Sequence, residues 1–325
     1  MGGTNYPWES WQIIGLFALG GLVLVGFGLR EATAPEPILP LALFRLQIFT
    51  VANIVAFVSG VAMFGALAFL PQYLQLVHGV SATESGLLLL PLLVGLLAMS
   101  IGSGLYISRT GKYRWFPLAG TIGVTIGLAL LSRLGAHTSL LVVSLDILVF
   151  GLGLGLFMQV LTLVVQNAVP MKQMGVGTSS VTFFRSMGGA IGASALGAVL
   201  TAGIVAEFPR YLPPAALAGG GKGGNKVAQL IQSPAVLDQL KRTNPALHEG
   251  IIQAYSHAID RLFLVAVPVS VLSVIAALFI KQVKLRVSNT TPAPAGTGPA
   301  GDGPSGEGPA GTATDAVPLT PGGTH

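Results

Sequence analysis

Four side chains with the chemistry to bind a solute or a proton lie inside long apolar runs of this sequence. Asp146, Gln159 and Gln166 belong to one run, and Arg185 belongs to the next. Ionisable and polar groups at membrane depth are costly, and by default they mark substrate or proton pathways. Asp146 is the candidate proton site, the alternative being a structural role near the membrane interface. The other three are candidates for substrate contact, the alternatives being helix packing for the glutamines and a side chain that reaches the headgroups for the arginine.

Polar residues also occur in and just after an earlier apolar run. Asn53 lies near the start of that run, and Gln72 lies at its far end. Both are further candidates for the same pathway. A hydrogen bond between neighbouring helices, or a place at the membrane interface, is the favoured alternative for each of them.

Glycines spaced two apart in GLGLGLFMQ, from Gly151 to Gln159, raise the question of a phosphate site. A dinucleotide-binding G-x-G-x-x-G motif would need a further glycine at the position of Leu156 or Met158. The spacing instead favours close helix packing, because small residues let helix backbones approach each other in a membrane. The small residues assigned to such packing are Gly151, Gly153, Gly155, Gly189, Ala193 and Gly197.

The residues of this run divide between two faces of one helix. At about 100° per residue, Gly151, Gly155 and Gln159 share a face. Gly153 lies on the other side, together with Asp146. The first face is predicted to be buried against another helix or to line an aqueous cavity, because lipid would not accommodate its glutamine. The second is predicted to be buried too, because a charged Asp146 in lipid would cost roughly 2.5 to 3.5 kcal/mol.

Composition indicates the environment in which these residues are held. Of the 325 residues, 52% are hydrophobic and 9% are charged, whereas a soluble domain carries roughly 25% charge. Apolar runs of about twenty residues recur, and as helices they would cross roughly 30 Å of hydrocarbon. Backbone groups in lipid must pair within the segment, so the predicted fold is all-α, a polytopic membrane helix bundle. Seven spanning helices are predicted, at residues 11–29, 48–70, 85–107, 115–134, 139–163, 179–205 and 260–280.

Basic residues predict the orientation of the bundle. Nine Lys and Arg residues belong to one side if the first helix runs inward, and the opposing short loops contain only Arg133. Short cytoplasmic loops are enriched in Lys and Arg, so we expect a multi-pass cell-membrane protein with its N-terminus outside and its C-terminus in the cytoplasm. The nine are Arg30, Arg45, Arg109, Lys112, Arg114, Lys172, Lys281, Lys284 and Arg286.

Three regions are predicted along the chain. Residues 1–47 hold an outer segment, the first helix and a cytoplasmic connection. Residues 48–287 hold six helices with an outer loop at about 206–259, and residues 288–325 form a disordered tail rich in Gly, Pro and Ala. The sequence has no cysteine and no pattern of metal ligands, so we expect neither a metal nor a cofactor. Its basic residues lie at helix ends rather than in one patch, so nucleic acid is not an expected partner.

Three stretches of the sequence resemble the C-terminal part of one family, the fourteen-helix drug:proton antiporter branch of the major facilitator superfamily. They are FLPQYLQLVHGVSATESGLLLLP at Phe69–Pro91, GLGLGLFMQVLTLVVQNAVP at Gly151–Pro170 and GVGTSSVTFFRSMGGAIGASALGAVL at Gly175–Leu200. The resemblance extends from residue 1 to about 287. It makes the first predicted helix the second of two extra helices that this branch carries between its six-helix halves.

A basic loop, GLYISRTGKYR, resembles in part the cytoplasmic gating motif of that family, G-x-x-x-D-R-x-G-[RK]-[RK]. Ser108 stands in place of the acid, and Tyr113 stands in place of the last base. The remaining cations are also explained by membrane orientation alone. The residues assigned to this gating loop are Gly104, Arg109, Gly111, Lys112 and Arg114.

What the resemblance implies is multidrug efflux, the export of amphipathic or cationic small molecules in exchange for protons by two halves that rock around a central site. The lipid bilayer, a small-molecule substrate and protons are then the expected partners. The first half of the family pattern is not matched, so we expect a C-terminal half, a fragment that is not active alone and needs the missing N-terminal half. The alternative is a non-transporting membrane scaffold or interaction subunit. A membrane enzyme is not expected, because no cluster of carboxylate, His or Ser residues gathers at either interface.

Overall fold

The apolar runs form long helices in the computed structural model, which describes residues 10–33, 40–211, 240 and 242–280. Strands are absent from these residues, and the all-α prediction is confirmed. The predicted tail at 288–325 and the middle of the predicted outer loop lie outside the described residues. The helices are α1 (Trp11–Thr33), α2 (Gln47–Val77), α3 (Ala82–Leu87), α4 (Leu90–Thr110), α5 (Trp115–Leu131), α6 (Leu140–Ala168), α7 (Met174–Tyr211) and α8 (Pro245–Leu278).

The lengths of these helices suit a membrane. Within the described ranges, six spans are long and apolar enough to cross a bilayer, one of them joining α3 and α4 into Ala82–Thr110. α5 is shorter, with 17 residues, or about 26 Å at 1.5 Å per residue, which is at the lower limit for a transmembrane helix. The chain is therefore a multi-pass membrane protein.

The helices on either side of the predicted outer loop extend further than the sequence pattern indicated. α7 continues to Tyr211 rather than ending at 205, and α8 starts at Pro245 rather than at 260. Asn244 caps α8, because its side-chain oxygen accepts a hydrogen bond from the backbone N–H of Leu247 at 3.2 Å. Proline is also favoured in a first helical turn. The mixed polar and apolar residues before position 260 obscured this start, because they do not read as a lipid-facing run.

The third predicted helix is broken into two pieces. α3 begins with a capping box, in which the Ser81 hydroxyl accepts from the backbone N–H of Glu84 and the Glu84 carboxylate accepts from the backbone N–H of Ser81. Two residues separate the end of α3 from the start of α4, which has Pro91 in its first turn. Gln75 ties this corner to α2 by donating a hydrogen bond to Ser85 at 3.0 Å.

Glycine brings α7 and α2 into direct backbone contact near the middle of both helices. A Cβ atom at Gly60 would collide with the carbonyl oxygen of Arg185, and one at Gly188 would collide with that of Phe57. No side chain therefore separates the two helices at this point. α6 lies between α4 and α5, and α8 contacts α2, α5 and α7, so that the six-helix bundle closes around α2, α6 and α8.

α1 contributes little to this bundle. The large apolar side chains that the structure describes in α1 are exposed, whereas Glu31 near its end is buried. An apolar helix exposed in this way needs lipid or another protein to cover it. The exposed residues are Ile14, Leu16, Leu19, Leu22, Val23, Val25 and Leu29.

Candidate functional site

A recess of about 820 Å³ lies between the end of α6 and the start of α7. It forms because the chain turns tightly after Ala168, so the last turns of α6 and the first turns of α7 are neighbours. Its lining combines hydroxyl and amide groups with methionine and phenylalanine, and none of the lining side chains is charged. The residues of this recess are Gln166, Met174, Gly175, Thr178, Ser179, Thr182 and Phe183.

One hydrogen bond holds the polar wall of the recess. The Gln166 side-chain amide donates to the Thr178 hydroxyl at 3.0 Å, and that hydroxyl donates to the carbonyl of Met174 at 3.0 Å. The Ser179 and Thr182 hydroxyls donate to backbone carbonyls of their own helix. Their oxygens keep free lone pairs that can accept from a bound molecule. A small amphipathic molecule with hydrogen-bond donors fits such a wall.

Arg185 lies on α7 beyond the recess. Its side chain is half-buried and makes no hydrogen bond or ion pair with any other described residue. Asn53 is buried on the facing helix α2, where its amide donates to the carbonyl of Phe49 at 2.8 Å. The Asn53 carbonyl oxygen is buried without a hydrogen-bond partner. The structure thus places two candidate pathway residues on the two helices that meet at Gly60.

The other predicted pathway residues lie apart from the recess. Gln159 is exposed on α6, two turns before Gln166. Gln72 lies at the far end of α2 and accepts a hydrogen bond from the Tyr255 hydroxyl at 3.2 Å, which ties α2 to α8. Asp146 is half-buried, twenty residues before Gln166, or roughly 30 Å along α6. The candidate proton site and the recess are therefore not in contact within this chain.

The small residues of α6 touch two different helices. Gly151 and Gly155 face α4, where a Cβ atom on either would collide with the backbone of Leu92 or Leu96. Gly153 faces α5, where a Cβ atom would collide with the backbone N–H of Val124. This geometry does not support a phosphate site, because each of these three glycines packs directly against the backbone of a neighbouring helix.

The small residues of α7 make a looser set of contacts. A Cβ atom at Gly189 would collide with the ring of Phe64, and one at Gly197 would lie 3.5 Å from the ring of Phe69. Ala193 is half-buried between them. The closest α7 contact is made at Gly188, which the sequence spacing did not single out, because it lies outside the four-residue repeat.

The loop between α4 and α5 is an exposed basic surface. Gly111 ends α4 with a φ of 68°, a left-handed conformation that glycine adopts without strain. Arg109 and Lys112 are exposed beside it, and the Arg114 guanidinium lies 5.9 Å from the ring centre of Trp115. A Cβ atom at Gly104 would meet open space, so no close helix contact requires glycine there.

Sequence reasoning missed a second polar cluster, at the opposite end of α7. Glu207 is buried, with 3% of its side chain exposed, and contacts Arg261 of α8 at 2.5 Å and Arg210 at 3.3 Å. These three residues are called the Glu207 cluster below. Next to it, Asp260 has one carboxylate oxygen buried without a hydrogen-bond partner, and the other lies 4.0 Å from His257. Glu207 was assigned to the outer loop and Asp260 to the start of the last predicted helix; the signal that would have found the Glu207 cluster is the i, i+3 pairing of Glu207 with Arg210.

Comparison with known proteins identifies the bundle. The sequence profile of the Major Facilitator Superfamily matches residues 2–193. An uncharacterized MFS-type transporter of Mycobacterium tuberculosis is 41% identical over 285 residues, which is 87% of this chain and 40% of the relative. The multidrug transporter protein MdtP of Bacillus subtilis is 41% identical over 201 residues, which is 62% of this chain and 37% of the relative.

Multidrug resistance protein 3 of Bacillus subtilis is 29% identical over 291 residues, which is 89% of this chain and 56% of the relative. The chain thus spans between 37% and 56% of the length of these three relatives. The family match covers more than half of the 325 residues and falls on a bundle of apolar helices. The chain belongs to the Major Facilitator Superfamily, a family of membrane transporters and not of enzymes.

Proposed function

We propose that the chain is the C-terminal half of a proton-coupled exporter of amphipathic or cationic small molecules, in the fourteen-helix multidrug branch of the family, and that it is not active alone. The observation that carries this proposal is the open recess between α6 and α7. Its uncharged polar and aromatic wall suits an amphipathic solute, and the described helices cover only one side of it. An opposing wall is then needed to enclose a solute.

The exposed face of α7 supports the presence of a second half. Small residues follow one another along it at intervals of three or four residues. Such residues let another helix approach closely in a membrane. Their hydroxyls can form hydrogen bonds with that helix, whereas lipid tails offer no hydrogen-bond partner. The residues of this small-residue face are Ser179, Thr182, Ser186, Ala190, Ser194 and Ala198, and each is exposed.

Known relatives support both parts of the proposal. Two matched proteins of Bacillus subtilis are named as a multidrug transporter and a multidrug resistance protein, and a match in Streptomyces rimosus is named as a tetracycline resistance determinant. The chain spans less than two thirds of each of them. A central site between two halves that rock against each other is the general arrangement for such transporters.

Proton coupling is proposed to involve Asp146. It is a half-buried acid inside a spanning helix and has no hydrogen-bond or ion-pair partner among the described residues. Intramembrane acids of this kind mark proton relays by default. The distance of roughly 30 Å between Asp146 and Gln166 along α6 means that proton and solute would be coupled through movement of the helices rather than by direct contact.

Orientation and domain limits are part of the same proposal. The end of the bundle that carries Arg45, the α4–α5 loop and Lys172 is assigned to the cytoplasm of the cell, because short cytoplasmic loops are rich in Lys and Arg. Residues 1–47 then form the linker region, 48–287 the six-helix half and 288–325 a cytoplasmic tail. The recess lies at this basic end and would open toward the cytoplasm.

Supplying the second half tests the proposal. The chain is expressed alone, and also joined to the part of the Bacillus subtilis MdtP relative that precedes the matched region, in cells loaded with ethidium. The joined protein is expected to export ethidium until a protonophore collapses the proton gradient, whereas the chain alone exports none. Asp146→Asn is expected to weaken export by the joined protein, with Glu249→Gln as the control for loss of an acid elsewhere.

Three results would contradict parts of the proposal. Export by the chain alone would overturn its assignment as an inactive half. Export that survives the protonophore, or that is unchanged in Asp146→Asn, would overturn the proton role. A joined protein that inserts correctly but moves no ethidium or other amphipathic cation would favour the scaffold alternative.

A further inference from the structure

Arg185 is a cation in the helix bundle with no counter-ion among the residues that the structure describes. Its side chain is half-buried, and no carboxylate of the described residues lies within 4.0 Å of its guanidinium. The contrast on the same helix is Arg210, which contacts the buried carboxylate of Glu207. A charge taken from water normally needs a partner, because transfer of an unpaired ion into a low-dielectric interior is costly.

The depth of Arg185 separates it from the loop cations. It lies eleven residues after Met174, or roughly 17 Å along α7. Its carbonyl oxygen touches Gly60, thirteen residues after Gln47, or roughly 20 Å along α2. Both distances exceed the reach of one arginine side chain, so Arg185 cannot place its guanidinium beyond the ends of both helices. The guanidinium is therefore held alongside α2 and α7 rather than past their ends.

The position of Arg185 relates it to the recess instead. It follows Thr178 by seven residues, two turns of helix, and so lies on the same face of α7. Side chains on a helix lean toward its N-terminus, which here is the recess end. The recess has no charged lining residue to neutralise a cation. The Asn53 carbonyl oxygen on α2 is buried without a hydrogen-bond partner, but it is neutral, so a hydrogen bond to it would leave the charge of Arg185 uncompensated.

We propose that Arg185 makes this half prefer amphipathic substrates that carry an anionic group, such as a carboxylate or a sulfonate. The inference rests on the proposed function and ranks substrates within it: solutes with an anionic group bind more tightly, and lipophilic cations such as ethidium bind more weakly but are still exported. A solute with an anionic group would place that group toward Arg185 and its apolar part against Met174, which lies on the same face of α7. A lipophilic cation without an acidic group would meet an unneutralised like charge at the same place.

A matched pair of probes tests this selectivity. Naphthalene-2-sulfonate and (2-naphthyl)trimethylammonium share an apolar ring system and carry opposite charges. Binding of each to the purified full chain in detergent is measured by equilibrium dialysis, with protein-free micelles subtracted. The wild type is expected to bind the sulfonate roughly tenfold more tightly than the ammonium, in the range that one close charge pair supplies.

Variants assign the preference to one side chain. Arg185→Gln is expected to lose the preference for the sulfonate without weakening binding of the ammonium, and Arg185→Lys is expected to keep most of it. Arg133→Gln removes an exposed cation in the α5–α6 loop and is expected to change neither affinity. A thermal melt of each variant shows whether the fold is intact.

Several outcomes would overturn the inference. They are equal affinity of the wild type for both probes, binding of neither probe, and an Arg185→Gln variant that weakens both probes alike together with a lowered melting temperature. The last result would assign Arg185 to packing against Asn53. The inference and the proposed function can fail separately. If the joined protein exports ethidium but the chain shows no charge preference, the inference about Arg185 is wrong and the proposed function stands. If the chain shows an Arg185-dependent preference but the joined protein never exports, the proposed function is wrong and the inference stands.

Discussion

The two ends of α7 hold their polar side chains in opposite ways. Near Tyr211, the carboxylate of Glu207 is buried, and two arginines contact it. Near Met174, an amide and three hydroxyls line an open recess and contain no charge. The first end resembles a closed helix contact, whereas the second leaves hydrogen-bonding groups accessible.

This difference teaches where a bundle of this kind is stabilised and where it binds. An ion pair with a buried carboxylate ties two helix ends together, because removing its cations would leave that buried charge uncompensated. A wall of hydroxyls and aromatic rings has no charge that must stay paired. It can therefore exchange its contacts with solvent for contacts with a solute. Stability and binding should therefore respond to substitutions at different ends of the same helix.

The largest expected effect on stability comes from the glycine contact between α2 and α7, which lies between the two ends of α7. Gly60→Leu places a side chain where the Arg185 carbonyl touches α2, and overpacking of this kind costs roughly 3 kcal/mol or more when backbone must move. We expect loss of the folded chain in size-exclusion chromatography and a strongly lowered melting temperature in detergent. Gly15→Leu in α1 is the matched control, because a Cβ atom there meets no neighbour within 4 Å. Equal melting temperatures for the two variants would contradict the close contact.

The next largest effect is expected at the Glu207 cluster, where a substitution should change stability but not binding in the recess. Glu207→Gln keeps the shape of the side chain but removes its charge, and it should lower the free energy of unfolding by roughly 1.5 to 3 kcal/mol, the value of hydrogen bonds to a charged group. Binding of naphthalene-2-sulfonate should not change. Glu249→Gln, at a half-exposed acid 3.5 Å from His137, should cost less than about 1 kcal/mol. A Glu207→Gln variant as stable as wild type would show that the cluster does not fix the ends of α7 and α8.

A recess substitution should give the reverse pattern. Thr178→Val removes the hydroxyl that accepts from Gln166, and the loss of one neutral hydrogen bond changes the free energy of unfolding by about 0.5 to 1.5 kcal/mol. The freed amide should weaken binding of the sulfonate probe roughly threefold, less than the loss of a charge pair. Ser132→Ala removes a hydroxyl that bonds only to its own helix, and it should leave probe affinity unchanged. Unaltered affinity in Thr178→Val would remove Gln166 and Thr178 from the site.

The smallest expected effect is a pH dependence at the end that carries the Glu207 cluster. Burial lowers the pKa of His78, whose ring stands edge-on to Tyr73 at 5.4 Å. The unfolded chain then binds a proton more readily than the folded chain, so stability is complete above about pH 6.5 and falls as the pH decreases below that value. The melting temperature should drop less between pH 7.5 and pH 5.5 in His78→Gln than in wild type. The same drop in both would assign the pH dependence to other groups.

The fold was largely predictable because apolar length carries most of the information in a membrane chain. The helical class, the spans and the split of Gly151 and Gly153 between two sides of α6 follow from periodicity and small-residue spacing. The start of α8 did not follow, because the residues before position 260 mix buried side chains such as Tyr255 and Ser256 with exposed ones such as His257, so they do not form a continuous apolar run. The Asn244 cap and Pro245 were the local signals of that start.

The candidate site was predictable only in part. Gln166 stood out as a polar group in an apolar run, but its partner Thr178 did not, because a hydroxyl near a helix start is common and its pairing depends on how α6 and α7 meet. The depth of Arg185 was also hidden, since it depends on the contact with Gly60 rather than on its place in α7. Contacts between helices are set by tertiary packing, which spacing within one helix does not contain.

The glycine contact between α2 and α7 also limits how the molecule can deform. Two backbones in direct touch have no side-chain rotamers between them that could absorb a sliding displacement. α2 and α7 must then translate and tilt as one rigid unit, and Asn53 and Arg185 move with it. The width of the recess is consequently controlled by the end of α6, which is joined to this unit by the short turn Met171–Gln173.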